Sequence, residues 1–202
     1  MRVQPTAVQT TRVLTVPNLL SLLRLLAIPL FLVLLARQAD GVALAVLVLS
    51  AATDWLDGVL ARRLHQISAL GQVLDPLVDR LWIAATLVGL ALRQIVPWWV
   101  VVALLGRDLV LLTLLPALRR RGLNALPVHF LGKLATFLIL AALPLLLFAT
   151  WGLGGGPDGS LAVVARAFGW ALLLWGTALY WYAGILYVVQ ARRLFATVAA
   201  RT

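Results

Sequence analysis

Long apolar runs constrain this chain more than any other feature of its sequence. Each run is long enough to cross a hydrocarbon core of about 30 Å as a helix. None shows the strict alternation that is typical of a membrane β-barrel strand. Helices also pair their own backbone amides, as lipid requires. The sequence therefore predicts an all-α integral membrane protein, a bundle of six transmembrane helices. The predicted spans are residues 16–36, 41–60, 68–92, 97–118, 130–151 and 161–190.

No linker or internal repeat divides the predicted bundle, so we expect a single membrane domain. Residues 1–15 are a polar N-terminal segment on the cytoplasmic surface, residues 16–195 form the six-helix domain, and residues 196–202 are a C-terminal tail.

The net charge of +10 reflects membrane orientation and does not indicate a nucleic-acid partner. Ten basic residues lie in the N-terminal segment, after the second, fourth and sixth spans, and in the tail, whereas the opposite loops hold three. Loops with an excess of Lys and Arg stay in the cytoplasm. We therefore expect cytoplasmic N and C termini, a location in the plasma or inner membrane, and the lipid bilayer as a partner.

Four aspartates stand out against this apolar background. Asp54 and Asp57 lie near the end of the second span, and Asp75 and Asp79 near the start of the third, all at the predicted cytoplasmic side. An Asp at the centre of a span costs about 2.5–3.5 kcal/mol on insertion scales. Four carboxylates so close together indicate a functional site, because Ser or Asn would serve a packing contact at lower cost.

The spacing places these aspartates on two helical stripes. Asp54, Gly58, Ala61 and Arg62 recur at i, i+4, i+7 and i+8, and Gly71, Asp75 and Asp79 at i, i+4 and i+8. A short basic turn joins the two helices, so we expect the stripes to face each other. Converging carboxylates without His or Cys favour Mg²⁺ or Mn²⁺ over zinc. The small residues leave room for a phosphate-bearing substrate, and Arg62 is placed to meet a phosphate.

The full pattern is Asp54-x2-Asp57-Gly58-x2-Ala61-Arg62-x8-Gly71-x3-Asp75-x3-Asp79. It resembles the signature of the CDP-alcohol phosphatidyltransferases, whose architecture is six helices with cytoplasmic termini. The resemblance implies transfer of a phosphatidyl group from CDP-diacylglycerol to an alcohol, with release of CMP, by a homodimer. It implies two Mg²⁺ or Mn²⁺ ions held by Asp54, Asp57, Asp75 and Asp79, with Asp79 also the general base. It implies that Asp57, Gly58, Ala61, Arg62 and Gly71 bind the CDP-lipid.

Charged residues outside the motif are the evidence for which alcohol is the acceptor. An Arg-Asp pair in the fourth span, followed by Gly-Lys in the fifth, resembles the cardiolipin synthases of this family, which implies phosphatidylglycerol as acceptor. Glycerol 3-phosphate, the acceptor of phosphatidylglycerophosphate synthases, is the alternative, although this sequence lacks the second Arg-Glu pair that those enzymes tend to carry. Inositol phosphate and other acceptors stay open, as does a purely structural pairing of these charges. The candidate acceptor residues are Arg24, Arg107, Asp108, Arg119 and Lys133.

Two rival functions share some of these features. Intramembrane aspartates also mark cation or proton pathways in transporters, but transporter sites lie near the midplane and often between internal repeats. Membrane prenyltransferases use aspartate-rich motifs with a different spacing, and they lack the Gly-x2-Ala-Arg element. Both rivals fit the sequence less well than a phosphatidyltransferase.

Overall fold

The computed structural model describes residues 16–63, 71–119, 130–151 and 158–199, and it confirms an all-helical fold class. Within these ranges the chain forms six α-helices and no strand. The helices are α1 (Val16–Ala36), α2 (Asp40–Arg63), α3 (Gly71–Leu92), α4 (Trp98–Arg119), α5 (Phe130–Trp151) and α6 (Ser160–Ala199). Side chains of residues 16–17, 55–63, 71–73, 76, 112, 114–119 and 191–199 lie outside the described part.

Most helix bounds agree with the apolar runs, and α6 departs furthest. Helices α1 and α5 have the predicted bounds, whereas α6 continues to Ala199, nine residues past the predicted end of its span. The added segment, ARRLFATVA, contains no Gly or Pro and is rich in good helix formers. At a rise of 1.5 Å per residue, the 40 residues of α6 measure about 60 Å. The apolar run predicts where the helix enters lipid, but it does not predict where the helix ends.

Three of the described helices are long and apolar enough to cross a membrane. Their apolar segments have mean hydropathies of 2.6, 2.2 and 1.6, and they are Asn18–Ala36, Phe130–Trp151 and Ser160–Gln190. Among the other helices, α2 contains three aspartates and two arginines. Six spans with cytoplasmic termini therefore stay a prediction.

Residues Met1–Arg93 form one compact unit, in which a tight turn joins α1 to α2. Gln38 adopts a left-handed conformation, with φ of 56°. Its N–H donates to the Leu35 carbonyl and the Ala39 N–H to the Leu34 carbonyl, both at 3.0 Å. These two bonds form a Schellman motif, which satisfies the last carbonyls of α1. α2 then begins at Asp40, where a negative charge interacts favourably with the helix dipole.

α1 is the central helix of this unit, since it packs against both α2 and α3. The Phe31 ring is fully buried, and its centroid lies 5.4 Å from the Trp82 ring of α3. A Cβ at Gly89 would lie only 2.7 Å from Leu35 Cδ1. The missing side chain at Gly89 therefore allows α1 and α3 to approach closely.

Residues Gln94–Thr202 form the second compact unit, in which α6 packs along α5 and also contacts α4. Gly169 and Gly176 lie seven residues apart, on one face of α6. A Cβ at either position would lie 2.9 Å from a side-chain carbon of Leu146 or Ile139 in α5. Small residues let helix backbones approach closely in membranes. The buried residues of α5 are Ala135, Ile139, Ala142, Leu143, Leu146, Leu147 and Ala149.

Candidate functional site

The structure brings two of the motif aspartates together from different helices. Asp54 lies in α2, while Asp75 and Asp79 lie one turn apart on α3. The carboxylates of Asp54 and Asp79 lie beside each other, and their side chains are 46% and 45% exposed. The pair is thus close enough to share one ligand and open enough for a ligand to reach it.

Arg24 of α1 joins these two aspartates. Its Nη1 donates to Asp54 Oδ1 at 2.5 Å and to Asp79 Oδ1 at 2.7 Å. The Arg24 side chain is only 4% exposed. The sequence predicts that the α2 and α3 stripes face each other. Among the described residues, Arg24 of α1 forms the ion pairs with both stripes. Arg24 therefore lies at the aspartates, and its predicted role in acceptor binding stays a prediction.

Ser21, one turn before Arg24, holds the third aspartate of the motif. Its hydroxyl donates to Asp75 Oδ1. Ser21 is fully buried, and Asn18, a further turn back, is also buried. Sequence reasoning missed both residues, although a signal was present: Asn18, Ser21 and Arg24 recur every three residues in a helix otherwise made almost entirely of apolar residues. That spacing marks one polar face.

Several predicted site residues lie outside the described part of the structure. Asp57, Gly58, Ala61 and Arg62 belong to α2 and Gly71 opens α3, but their side chains are not described. The same holds for Arg119, the last residue of α4. Their predicted roles in metal, CDP-lipid and acceptor binding stay predictions.

The donor set around Asp54 and Asp79 fits a hard divalent cation. Among the described side chains, no group of three or more His, Cys, Asp or Glu residues is close enough to hold a metal ion. The described cluster is the carboxylate pair, with Asp75 held by Ser21 nearby. Its donors are oxygens only, as Mg²⁺ and Mn²⁺ prefer. The pair already binds a cationic group, the guanidinium of Arg24, so its charge suits a bound cation.

A second buried charge cluster joins α4 to α6. Arg107 is 9% exposed, and its Nη1 donates to Asp108 Oδ1 at 3.1 Å. The Tyr180 hydroxyl donates to the same oxygen at 2.5 Å, and the Tyr180 ring centroid lies 4.0 Å from Arg107 Cζ. A Cβ at Gly184 would lie 3.0 Å from Arg107 Nε. These contacts are compatible with a structural pairing, one of the two alternatives left open by the sequence, and the predicted role of Arg107 and Asp108 in acceptor binding stays a prediction.

Lys133 differs from Arg24, Arg107 and Asp108, because it is exposed near the start of α5. No described contact holds it to another charged residue of the site. Its predicted role in acceptor binding therefore stays a prediction.

Comparison with known proteins identifies the same family as the aspartate motif. A family model for the CDP-alcohol phosphatidyltransferases matches residues 14–197, which is nearly the whole chain. A Streptomyces coelicolor protein named "Cardiolipin synthase (CMP-forming)" is 54% identical; the match covers 99% of this chain and 94% of that protein.

Two Mycobacterium tuberculosis proteins are also similar to the chain. One, described provisionally as a cardiolipin synthase, is 47% identical over 89% of this chain and 83% of its own length. The other, described provisionally as a phosphatidylglycerophosphate synthase, is 35% identical over 90% of this chain and 84% of its own length. The similarity is thus greater to the relatives named for cardiolipin synthesis.

Proposed function

This chain belongs to the CDP-alcohol phosphatidyltransferase family, and from that premise we propose that it makes cardiolipin. The reaction transfers the phosphatidyl group of CDP-diacylglycerol to a hydroxyl of phosphatidylglycerol and releases CMP. The observation that carries the proposal is the 54% identity, over nearly the full length of both chains, to a relative named as a CMP-forming cardiolipin synthase. Family membership also favours an enzyme over the transporter and prenyltransferase alternatives.

Enzymes of this family generally depend on a divalent metal. We assign two Mg²⁺ or Mn²⁺ ions to Asp54, Asp57, Asp75 and Asp79. The pairing of Asp54 with Asp79 around a cationic group supports this assignment. When bound, the ions neutralise the diphosphate and stabilise the departing CMP.

The remaining chemistry belongs to side chains of this protein. The acceptor hydroxyl forms a new bond from its oxygen to the phosphorus of the phosphatidyl group, while the bond from that phosphorus to the oxygen of CMP breaks. Asp79 takes the hydroxyl proton as general base, and CMP leaves with the bonding electrons. Arg62 pairs with the phosphates, while Gly58, Ala61 and Gly71 leave room for the nucleotide.

An apolar groove beside the aspartates supports a lipid donor. It lies between α1 and α3 and has a volume of about 420 Å³. One end of the groove lies at the same level along α1 and α3 as the aspartate pair, because Leu25 follows Arg24 and Leu81 lies two residues after Asp79. We assign it to an acyl chain of CDP-diacylglycerol. The lining residues are Leu25, Ile28, Pro29, Leu81, Ala84, Ala85 and Val88.

We assign acceptor binding to Arg24, Arg107, Asp108, Arg119 and Lys133, the residues that the sequence predicts. Anionic headgroups require cationic partners, and Arg107 is already oriented by Asp108 and Tyr180. Glycerol 3-phosphate is the second candidate acceptor, because a relative described provisionally as a phosphatidylglycerophosphate synthase is 35% identical.

We assign the protein to the plasma or inner membrane as a homodimer, with six spans per chain, both termini in the cytoplasm and the active site on the cytoplasmic side. The apolar helices α1, α5 and α6 and the asymmetric basic loops support this orientation. CDP-diacylglycerol then meets the aspartates at headgroup depth.

Parallel acceptor assays test the proposed reaction. Detergent-solubilised protein is given CDP-diacylglycerol labelled in the cytidine, Mn²⁺, and either phosphatidylglycerol or glycerol 3-phosphate. We expect labelled CMP only with phosphatidylglycerol, and cardiolipin as the lipid product. CMP release with glycerol 3-phosphate alone would instead establish the second candidate, and no release with either would contradict both.

Asp75→Asn tests the aspartate assignment within the same assay. Loss of a metal ligand should lower CMP release by more than the roughly 10–100-fold that changes around such ligands cost. Asp158→Asn is the matched control, since Asp158 is exposed and lies just before α6. CMP release that survives Asp75→Asn would remove this residue from the site.

A further inference from the structure

The aspartate pair has a resident cation supplied by the protein itself. Arg24 Nη1 contacts Asp54 Oδ1 and Asp79 Oδ1 at 2.5 and 2.7 Å. The guanidinium is 4% exposed, whereas the two carboxylates are nearly half exposed. Arg24 thus approaches the aspartates from the packed interior of the unit, and a ligand can approach them from their open side.

A divalent ion bound by both of these oxygens would lie directly beside the Arg24 guanidinium. Two cations a few ångströms apart repel each other, and the repulsion is stronger where water is excluded. Each carboxylate oxygen that accepts a hydrogen bond from Arg24 is also an oxygen that the ion would need as a ligand. Binding of the ion and the contacts of Arg24 with this pair are therefore in competition.

We propose that Arg24 is the exchangeable counter-ion of the site, and that a divalent ion displaces its guanidinium from Asp54 and Asp79. This inference rests on the proposed function only in taking those aspartates as metal ligands. Two neighbouring carboxylates without a cation repel each other. Arg24 holds the Asp54 and Asp79 carboxylates side by side until the ion binds.

The contacts of α1 confine the exchange to the side chain of Arg24. The Trp82 indole N–H donates to the backbone carbonyl of Arg24 at 2.9 Å, and the Trp82 ring packs on Phe31. Both contacts hold α1 against α3 at the level of the site. We therefore place the exchange in the side chain of Arg24 and not in a movement of α1.

Mn²⁺ binding measured directly on the detergent-solubilised full chain tests the exchange, with electron paramagnetic resonance of free Mn²⁺ as the readout. Arg24→Gln removes the competing charge and should tighten Mn²⁺ binding by about tenfold, the factor expected for one charge-assisted hydrogen bond. Arg24→Lys keeps a positive charge, and with it the packing of the unit, but it loses the guanidinium fork. Its affinity for Mn²⁺ should lie between those of the wild type and Arg24→Gln.

The pair formed by Arg93 and Asp40 provides a matched control in the same unit. Arg93 donates to both carboxylate oxygens of Asp40, which is 7% exposed, and neither residue contacts the aspartate pair. Arg93→Gln should leave the Mn²⁺ affinity unchanged. Equal tightening in Arg93→Gln, or unchanged or weaker Mn²⁺ binding in both Arg24 variants, would overturn the inference.

Mn²⁺ affinity and CMP release separate this inference from the proposed function. A protein that shows the expected order of affinities but releases no CMP contradicts the proposed function alone. A protein that releases CMP with phosphatidylglycerol, yet binds Mn²⁺ equally well with Arg24 or Gln at this position, contradicts the exchange alone.

Discussion

Buried charges in this protein are held by specific partners. Arg24 lies on Asp54 and Asp79, and Arg107 lies on Asp108. Breaking a buried ion pair by removing one partner costs about 3–5 kcal/mol, because the other charge is left uncompensated. At the scale of single residues, the polar groups are therefore as important to folding as to chemistry.

Tyr180 contributes two separable contacts to the second cluster. Tyr180→Phe keeps the ring over Arg107 but removes the hydroxyl that donates to Asp108. Because that hydrogen bond is made to a charged group, its loss should lower the free energy of unfolding by about 1.5–3 kcal/mol. Tyr180→Leu also removes the cation–π contact and should cost more. Thermal unfolding in detergent measures the stability of both variants. If both were as stable as the wild type, these contacts would be contradicted.

At the scale of secondary-structure elements, the close approach of α5 and α6 depends on glycines in α6. Gly176 has room for a hydrogen only: a Cβ there would lie 2.9 Å from Ile139 Cγ1 and 3.2 Å from the Ile139 backbone nitrogen. The backbone atom cannot move aside without moving α5. Gly106 in α4 is different, because a Cβ there would meet no atom of the described residues within 4 Å.

Alanine substitutions at these two glycines should have opposite effects. Gly176→Ala forces the helices apart, and overpacking of this kind costs about 1–3 kcal/mol. Gly106→Ala adds no clash and gains up to about 1 kcal/mol of helix propensity. Melting temperatures measured in detergent compare the stability of the two variants with that of the wild type. A Gly176→Ala protein as stable as Gly106→Ala would show that the α5–α6 contact is looser than the structure indicates.

Orientation in the membrane is a property of the whole molecule, and we predict it from the distribution of charge. Basic residues cluster around the N terminus, after alternate helices and at the C terminus, whereas the connections on the other side hold few. The chain contains no cysteine, so a single introduced cysteine reports its own side of the membrane without background labelling.

Cysteines at two positions test this orientation. In intact cells, a membrane-impermeant maleimide should label Ser160→Cys, at the start of α6, and should not label Thr202→Cys. Permeabilised cells should show both sites labelled, which controls for reactivity. Labelling of Thr202→Cys in intact cells would place the C terminus outside and contradict the cytoplasmic termini.

The length of the apolar runs predicted the helices well, because the requirement to pair backbone amides in lipid acts locally along the chain. The aspartate motif identified the family, which the comparisons confirm. The end of α6 was missed because helix propensity continues past the apolar run. The polar face of α1 was missed because Ser and Asn are common in helix contacts, and only the partner distinguishes a site residue from a packing residue.

Local chemistry was thus decided by the sequence alone: membrane-length helices, an oxygen-rich motif on two of them, and a charge asymmetry. Tertiary structure decided which charges meet. Arg24 and Asp79 are 55 residues apart in the chain, and Arg107 and Asp108 meet Tyr180 of another helix. Long side chains reach partners over several ångströms, so their pairing depends on the rotation and approach of whole helices. No local pattern contains that information.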